Sequence, residues 1–328
     1  METFEYAQPT TSPEVVKLLT GAQGGAQVLA GGTDLLSLMK DGVAKPTRLV
    51  SLQHVKELRG ITFHPGSGLR LGATVTFEEL LENPGVRKHY PALAQAAEGV
   101  SSPQVRSTGT VAGDLCQRPR CWYYRAGFGL LATYNGKPLV PEGDNRYHAI
   151  LGNSGPAYFV SPSSLAPILI ALNAKVKLHG PQGARELSVQ EFFVTPKNDQ
   201  EIEHALKPGE IVTEILVPAP GSAKMAVYEV RQKEALDWPL AAAAVVLNLE
   251  GNTVKKAGVV LGHVAPVPWP SPEAEEALTG KIVSEEAAWE AAKAALGKAT
   301  PLSKNAYKVQ LARVAVKRAI LRATKREA

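Results

Sequence analysis

The chain is poor in cysteine and aromatic residues and has no long apolar run. Only Cys116 and Cys121 occur in 328 residues, which excludes a disulfide-dense scaffold and makes a reduced, cytoplasmic chain the expectation. Two thiols five positions apart cannot complete a four-cysteine cluster site, so no iron–sulfur cluster is expected and both side chains are read as packing groups. The seven histidines are scattered and show no His-Glu-x-x-His or His-x-x-x-His spacing, so no metal site is expected. His148 and His263 lie beside apolar, strand-like stretches and read as structural. Apolar runs such as 165–172 are far shorter than a membrane span. The acidic start Met-Glu-Thr-Phe-Glu-Tyr is no signal peptide, so a soluble protein is expected.

Charge of either sign is also in modest supply. The net charge is +5 and charged residues make up 20% of the chain, too weak a bias to imply nucleic acid unless it clusters. It clusters at Lys317-Arg318 and between Arg322 and Arg326, where the end of a helix favours basic residues through its dipole. The 45% of hydrophobic residues describe an ordinary globular chain, long enough for two domains.

Periodicity and punctuation outline the elements. Thr11-Ser12-Pro13-Glu14 reads as a helix start, with a short helix over 15–19. Residues 27–30 form a strand that runs into Gly31-Gly32, followed by a helix over 35–39 capped from Thr33-Asp34. Strands are expected over 48–52 and 69–73, and helices over 77–82 and 91–98. Residues 105–162 show little periodicity, and an irregular stretch that long is more often functional than idle. A helix over 165–174 follows, then a hairpin of 175–178 and 184–187 about Gly180-Pro181-Gln182-Gly183. A last strand over 211–217 precedes Pro218-Ala219-Pro220-Gly221, the expected domain boundary. Beyond it, strands over 226–231, 242–249 and 257–261 and helices over 284–296 and 305–325 suggest a small antiparallel sheet with helices packed on it.

Two glycine-rich stretches could carry chemistry. Holding a diphosphate takes several backbone N–H donors aimed at one point with no side chains in the way. Leu29-Ala30-Gly31-Gly32-Thr33-Asp34-Leu35 offers that at a helix start, with the Thr33 hydroxyl as an extra donor, although a plain tight turn fits the same residues. Arg106-Ser107-Thr108-Gly109-Thr110-Val111-Ala112-Gly113-Asp114 offers a second set, in which Asp114 could accept hydrogen bonds from sugar or ribitol hydroxyls. Neither fits Gly-x-Gly-x-x-Gly or a P-loop.

Taken in order, these stretches, then Ser161-Pro162-Ser163-Ser164-Leu165-Ala166-Pro167, then Tyr228-Glu229-Val230-Arg231-Gln232-Lys233 with Leu236-Asp237-Trp238, resemble the FAD-binding subunit of molybdenum hydroxylases. That family includes xanthine dehydrogenase and carbon monoxide dehydrogenase. The run Cys116-Gln117-Arg118-Pro119-Arg120-Cys121-Trp122-Tyr123-Tyr124-Arg125 is similar to the branch of periplasmic aldehyde oxidoreductases and 4-hydroxybenzoyl-CoA reductase. Relatives in that branch often hold a 4Fe–4S cluster on four cysteines, of which only Cys121 remains at such a position here. The arginines and aromatic residues of this run also suit a nucleic-acid stacking surface, but a loop packed over a cofactor or partner fits the motif order better.

The resemblance implies an α+β fold. A two-part FAD-binding domain of the PCMH (vanillyl-alcohol-oxidase-like) type would occupy residues 1–221, and a small antiparallel-sheet-plus-helices domain residues 222–328. FAD would be the cofactor. Its binding residues would be Leu29, Ala30, Gly31, Gly32, Thr33, Asp34 and Leu35, then Gly109, Thr110, Gly113, Asp114 and Cys116, with Ser163, Ser164 and Lys233; no catalytic residue is implied. Ser164 stands where the family usually has Asp. The implied partners are a molybdenum-cofactor large subunit, a 2Fe–2S small subunit and an external electron acceptor, with neither nucleic acid nor membrane. Export on a partner's signal would leave no trace in this chain. Two alternatives stay open: a stand-alone FAD-dependent oxidase or dehydrogenase, and a scaffold subunit that has lost its FAD.

Overall fold

The computed structural model describes residues 2–22, 25–233 and 237–325. Leu236 of the downstream motif and Arg326 of the basic cluster lie outside the described residues.

The N-terminal part opens with a three-stranded parallel sheet in the order Glu5–Ala7, Arg48–Ser51, Ala26–Leu29. Parallel neighbours need crossovers, and the two short helices Ser12–Thr20 and Leu35–Lys40 supply them. The first is capped by Thr11, whose side chain accepts the Glu14 N–H, with Pro13 in the first turn. A five-stranded antiparallel sheet follows, ordered Ile61–His64, Gly68–Gly72, Ile211–Val217, Lys175–Gly180, Gly183–Ser188. Between its second and third strands in sequence the chain makes a long excursion through helices Phe77–Glu82, Pro84–His89 and Pro91–Glu98. Thr76 and Glu79 form a reciprocal capping box on the first of these, the arrangement that satisfies two orphan donors at once.

The C-terminal part is a four-stranded antiparallel sheet in the order Lys224–Val230, Ala241–Glu250, Thr253–Gly262, Trp269–Pro270. Alternation along the central strand sends Ala243, Val245 and Leu247 to a core shared with helices Pro272–Leu278, Glu285–Ala295 and Tyr307–Ala323. Ala244 and Val246 point the other way, into the N-terminal core, so both faces are covered and the strand is buried nearly throughout. Small residues set the approach of the N-terminal helix Ala166–Ala171 to this sheet. A Cβ at Gly258 would lie 3.1 Å from the Ala171 carbonyl oxygen, and one at Gly262 3.0 Å from Pro167. The two parts therefore share a core rather than meeting at a loose hinge.

The outline from sequence needs several corrections. The stretch 105–162 is not irregular throughout: it belongs with helices Pro103–Thr108, Val111–Cys116 and Trp122–Arg125 and a small hairpin of Thr133–Tyr134 and Lys137–Pro138. The helix expected over 165–174 covers only Ala166–Ala171, ended by the left-handed Asn173. Strands Glu5–Ala7, Ile61–His64 and Trp269–Pro270 were not anticipated. No helix among the described residues is long and apolar enough to cross a membrane.

Candidate cofactor site

The two glycine-rich stretches meet. The first follows strand Ala26–Leu29, turns with Gly32 at φ +71° and enters helix Leu35–Lys40. Gly31 lies so close to the second stretch that a Cβ on it would overlap the Thr108 carbonyl. The second stretch is a helix end and a helix start placed back to back, joined through Gly109 and Thr110. A Cβ on Gly109 would come 2.7 Å from the Val105 carbonyl oxygen. Thr110 caps helix Val111–Cys116 by accepting the Gly113 N–H at 3.0 Å. The N–H groups of Gly31, Gly32, Thr33 and Asp34 meet no acceptor among the described residues. Unpaired backbone donors at a glycine turn are what a diphosphate requires, so the local chemistry fits an FAD pyrophosphate.

A cavity of about 250 Å³ opens beside this junction. Of the residues assigned from sequence, Thr33, Asp34, Gly109, Thr110, Gly113, Asp114 and Ser164 line it. Leu29, Ala30, Gly31, Gly32 and Leu35 form the turn behind that wall, and Ser163 supports it from below. Two further assignments lie apart from both the cavity lining and the glycine turn. Lys233 is exposed and does not line it. Cys116 is packed against the N-terminal core, and burial pushes its thiol up to about 12. Residues missed in the sequence reading include Phe77, Arg120, Arg231 and the segment Gly99-Val100-Ser101-Ser102; only that run of small residues could have flagged it.

Asp114 has a different task from the one expected. Its carboxylate is buried and accepts four protein hydrogen bonds. Oδ1 takes Gln117 Nε2 at 2.9 Å and Ser164 N at 3.1 Å, while Oδ2 takes Ser163 Oγ at 2.5 Å and Leu165 N at 2.9 Å. Both oxygens are thus engaged by protein groups rather than held free for ligand hydroxyls. Burial pushes the carboxyl up to about 6, against the pull of those donors. Asp114 therefore ties the Ser161–Leu165 region to helix Val111–Cys116 and shapes the wall from within. Ser164 joins this bond through its backbone N–H, which any side chain at that position would leave in place.

Asp34 sits at the helix-start position but makes no capping bond, contrary to the cap expected from sequence. It is drawn instead to the following loop, accepting Arg118 N at 2.8 Å, Arg120 Nη1 at 2.7 Å and Arg125 Nη2 at 2.7 Å. Arg118 reaches buried Glu203 at 2.5 Å, and burial keeps the Glu203 carboxyl raised despite that partner. The guanidinium groups of Arg118, Arg120 and Arg125 converge beside the glycine turn, where they can answer the charge of a diphosphate. Burial and nearby Arg125 both lower the Arg120 pKa, so an added anion would relieve that arginine. Trp122 packs edge-on to Tyr147 and Arg120 stacks on Trp238 at 4.8 Å. The loop's arginines and aromatic residues are thus paired with partners within the protein.

Cys121 packs against Leu38, Tyr124, Leu130, Leu131, Ala157 and Phe159 in a small separate core. Its Sγ lies 3.2 Å from His148 Nε2. Among the described residues no three His, Cys, Asp or Glu side chains come together as a metal site. His148 and His263 are both buried.

Known proteins resemble this chain along its whole length. Residues 2–220 match the family model described as the FAD binding domain in molybdopterin dehydrogenase, and residues 226–323 that of the CO dehydrogenase flavoprotein C-terminal domain. The carbon monoxide dehydrogenase medium chain of Hydrogenophaga pseudoflava is 32% identical over 97% of this chain and 96% of its own. The aldehyde oxidoreductase FAD-binding subunit PaoB of Escherichia coli (strain K12) is 32% identical over 82% of this chain and 84% of its own. Among solved structures, carbon monoxide dehydrogenase from Hydrogenophaga pseudoflava lacking the Mo-pyranopterin moiety superimposes with a TM-score of 0.78 at 30% identity, covering 100% of this chain and 99% of that one. With two family models spanning the chain and relatives matched nearly end to end, this protein belongs to the FAD-binding medium subunits of the carbon monoxide dehydrogenase and xanthine dehydrogenase family.

Proposed function

We propose that this chain carries FAD within a heterotrimeric molybdenum hydroxylase, taking electrons from a 2Fe–2S small subunit and passing them to an external acceptor. A large molybdenum-cofactor subunit would oxidise the substrate. The observation that carries this reading is the run of unpaired N–H groups from Gly31 to Asp34, packed against Thr108 beside one cavity. The relative from Hydrogenophaga pseudoflava bears the name of a medium chain, a name that supports larger and smaller companions for this one. Residues 1–221 would form the FAD-binding domain and residues 222–328 the flavoprotein C-terminal domain. The working compartment of this reading is the cytoplasm.

Bound FAD would supply reversible two-electron chemistry, and the protein's share is placement and electrostatics. The N–H groups of Gly31, Gly32, Thr33 and Asp34 would hold the pyrophosphate. Gly113 and the Thr110-capped helix start would line its other side, and Asp114 would keep the Ser163-Ser164 wall in position. Arg120 and Arg125 would offset the phosphate charge while Asp34 fixes where they stand. No side chain in the cavity is assigned a bond-breaking role, in keeping with an electron carrier. The experiment is to mix the FAD-loaded chain anaerobically with its reduced 2Fe–2S partner. Bleaching of the flavin band is expected, and a flavin that stays oxidised would contradict the relay.

A further inference from the structure

Strand Lys224–Val230 is the outer strand of the C-terminal sheet, paired with Ala241–Glu250 on one side only. An open strand edge is a template for another chain, and proteins usually cover it. Here the cover is partial. The Val227 N–H donates to Gln95 Oε1 at 3.1 Å, and the Val227 carbonyl accepts Arg322 Nη1 at 3.1 Å. Two side chains thus stand in for a neighbouring strand at this residue. Backbone groups alternate in direction along an antiparallel strand, so the Glu229 N–H and carbonyl face the same outer edge. Neither meets a partner among the described residues.

An open groove of about 600 Å³ runs along this edge. Helix Pro91–Glu98 walls it on one side with Gln95 and Glu98, and helix Tyr307–Ala323 on the other with Val314, Arg318 and Arg322. Gly99 and Arg231 stand between it and the cofactor cavity. The two walls differ in charge. Helix Tyr307–Ala323 contains no carboxylate. Its Arg318 and Arg322 both lie against the Tyr228 ring, 5.2 and 4.7 Å from the centroid, and Arg318 is exposed. Lys233 adds another exposed cation to the lining. Lys and Arg balance Asp and Glu over residues 1–221, so the whole net charge of +5 falls on residues 222–328. The wall across the groove carries Glu98 instead.

We propose that an extended, acidic segment of a companion subunit adds to this edge as a further strand, its backbone pairing with the Glu229 N–H and carbonyl. Side chains of an added strand alternate between the two walls. Carboxylates at every second position meet Arg318 and Arg322, and the residues between them, facing Gln95 and Glu98, are uncharged. The proposal rests on reading the chain as one subunit of a larger assembly.

The test compares the FAD-loaded chain alone with the complex it forms with its companion subunits. Exchange of the Glu229 amide should be fast in the chain alone and slower by about ten-fold or more in the complex. The Val227 amide, already bonded to Gln95, should change little. Arg318→Glu should weaken assembly about ten-fold, most at low salt, with FAD content unchanged. Glu229→Pro and Glu229→Ala both remove the carboxylate, but only the first removes the N–H, and an edge strand tolerates proline where the N–H points outward. The proline variant should therefore assemble well below the alanine variant. A Glu229 amide equally fast in the complex, or already slow in the chain alone, would overturn the proposal. So would assembly indifferent to Arg318→Glu, or equal assembly of the two Glu229 variants. A parent chain that joins no companion subunit defeats the reading of its function instead, and the two failures are therefore distinct.

Discussion

Asp114 shows how far a residue type can mislead about a residue's task. An aspartate after a glycine-rich run suggests a ligand for sugar hydroxyls, yet here its four partners are all protein donors. Asp114→Asn would turn an amide N–H toward those donors and strand at least one of them, at a cost of roughly 1–3 kcal/mol per buried group left unsatisfied. Thermal unfolding should therefore show a clear drop in midpoint for D114N, and a further measurable one for Ser163→Ala, which removes a donor to Asp114 and the acceptor of the Ala166 N–H. Equal midpoints for D114N and the parent would show that the buried network is not formed.

At the scale of elements, the loop from Gln117 to Arg125 is held on the glycine turn by charge. Asp34→Asn keeps the shape but removes the carboxylate shared by Arg120 and Arg125. Hydrogen bonds to a charged group contribute about 1.5–3 kcal/mol, and the loss should appear as local opening. Amide exchange should speed up over 117–125, with little change in the strands of the five-stranded sheet. Uniform acceleration would mean the loop is not an independent unit.

Legibility also divides by element. Strands and helices with clear alternation or a 3.6-residue period were readable, as were the turns that Gly and Pro mark. Helix Tyr307–Ala323 is an example: Ala312, Ala315, Val316, Ala319, Ile320 and Ala323 make a buried stripe visible in the spacing. The helices on either side of Gly109 were invisible because Pro103–Thr108 buries no residue and Val111–Cys116 is broken by Gly113, so neither shows an apolar stripe. The glycine turn itself was readable only as a turn. Its meaning came from the approach of Thr108, more than seventy positions away in sequence, which no local pattern carries. The engagement of Asp34 by Arg120 and Arg125 was hidden for the same reason.

At the scale of the whole molecule, three desolvated histidines, two of them fully buried, shape the response to acid. Burial lowers His148 and His204 to about 4 and His263 to about 3. Each is neutral in the folded chain while its unfolded counterpart takes a proton below about pH 6.5. The unfolded state therefore binds more protons between pH 6.5 and 4, and stability falls as pH falls through that window. Urea unfolding across it should show an uptake approaching three protons from these groups, offset in part by Asp114, whose raised carboxyl gives up a proton on unfolding over the same window. His263→Gln should lower that uptake by about one. An unchanged slope would place His263 in contact with solvent.

The central claim is that the junction of Gly31 with Thr108 seats FAD, and cofactor content tests it most directly. Protein purified alone or with its partner subunits is denatured, and the released flavin is identified and counted against chain concentration. The account expects about one FAD per chain, with no iron in the isolated chain. Gly31→Ala should lose most of the FAD, because its Cβ would force the two stretches apart. A colourless parent protein that takes up no added FAD, or a G31A variant that keeps full FAD content, would contradict it.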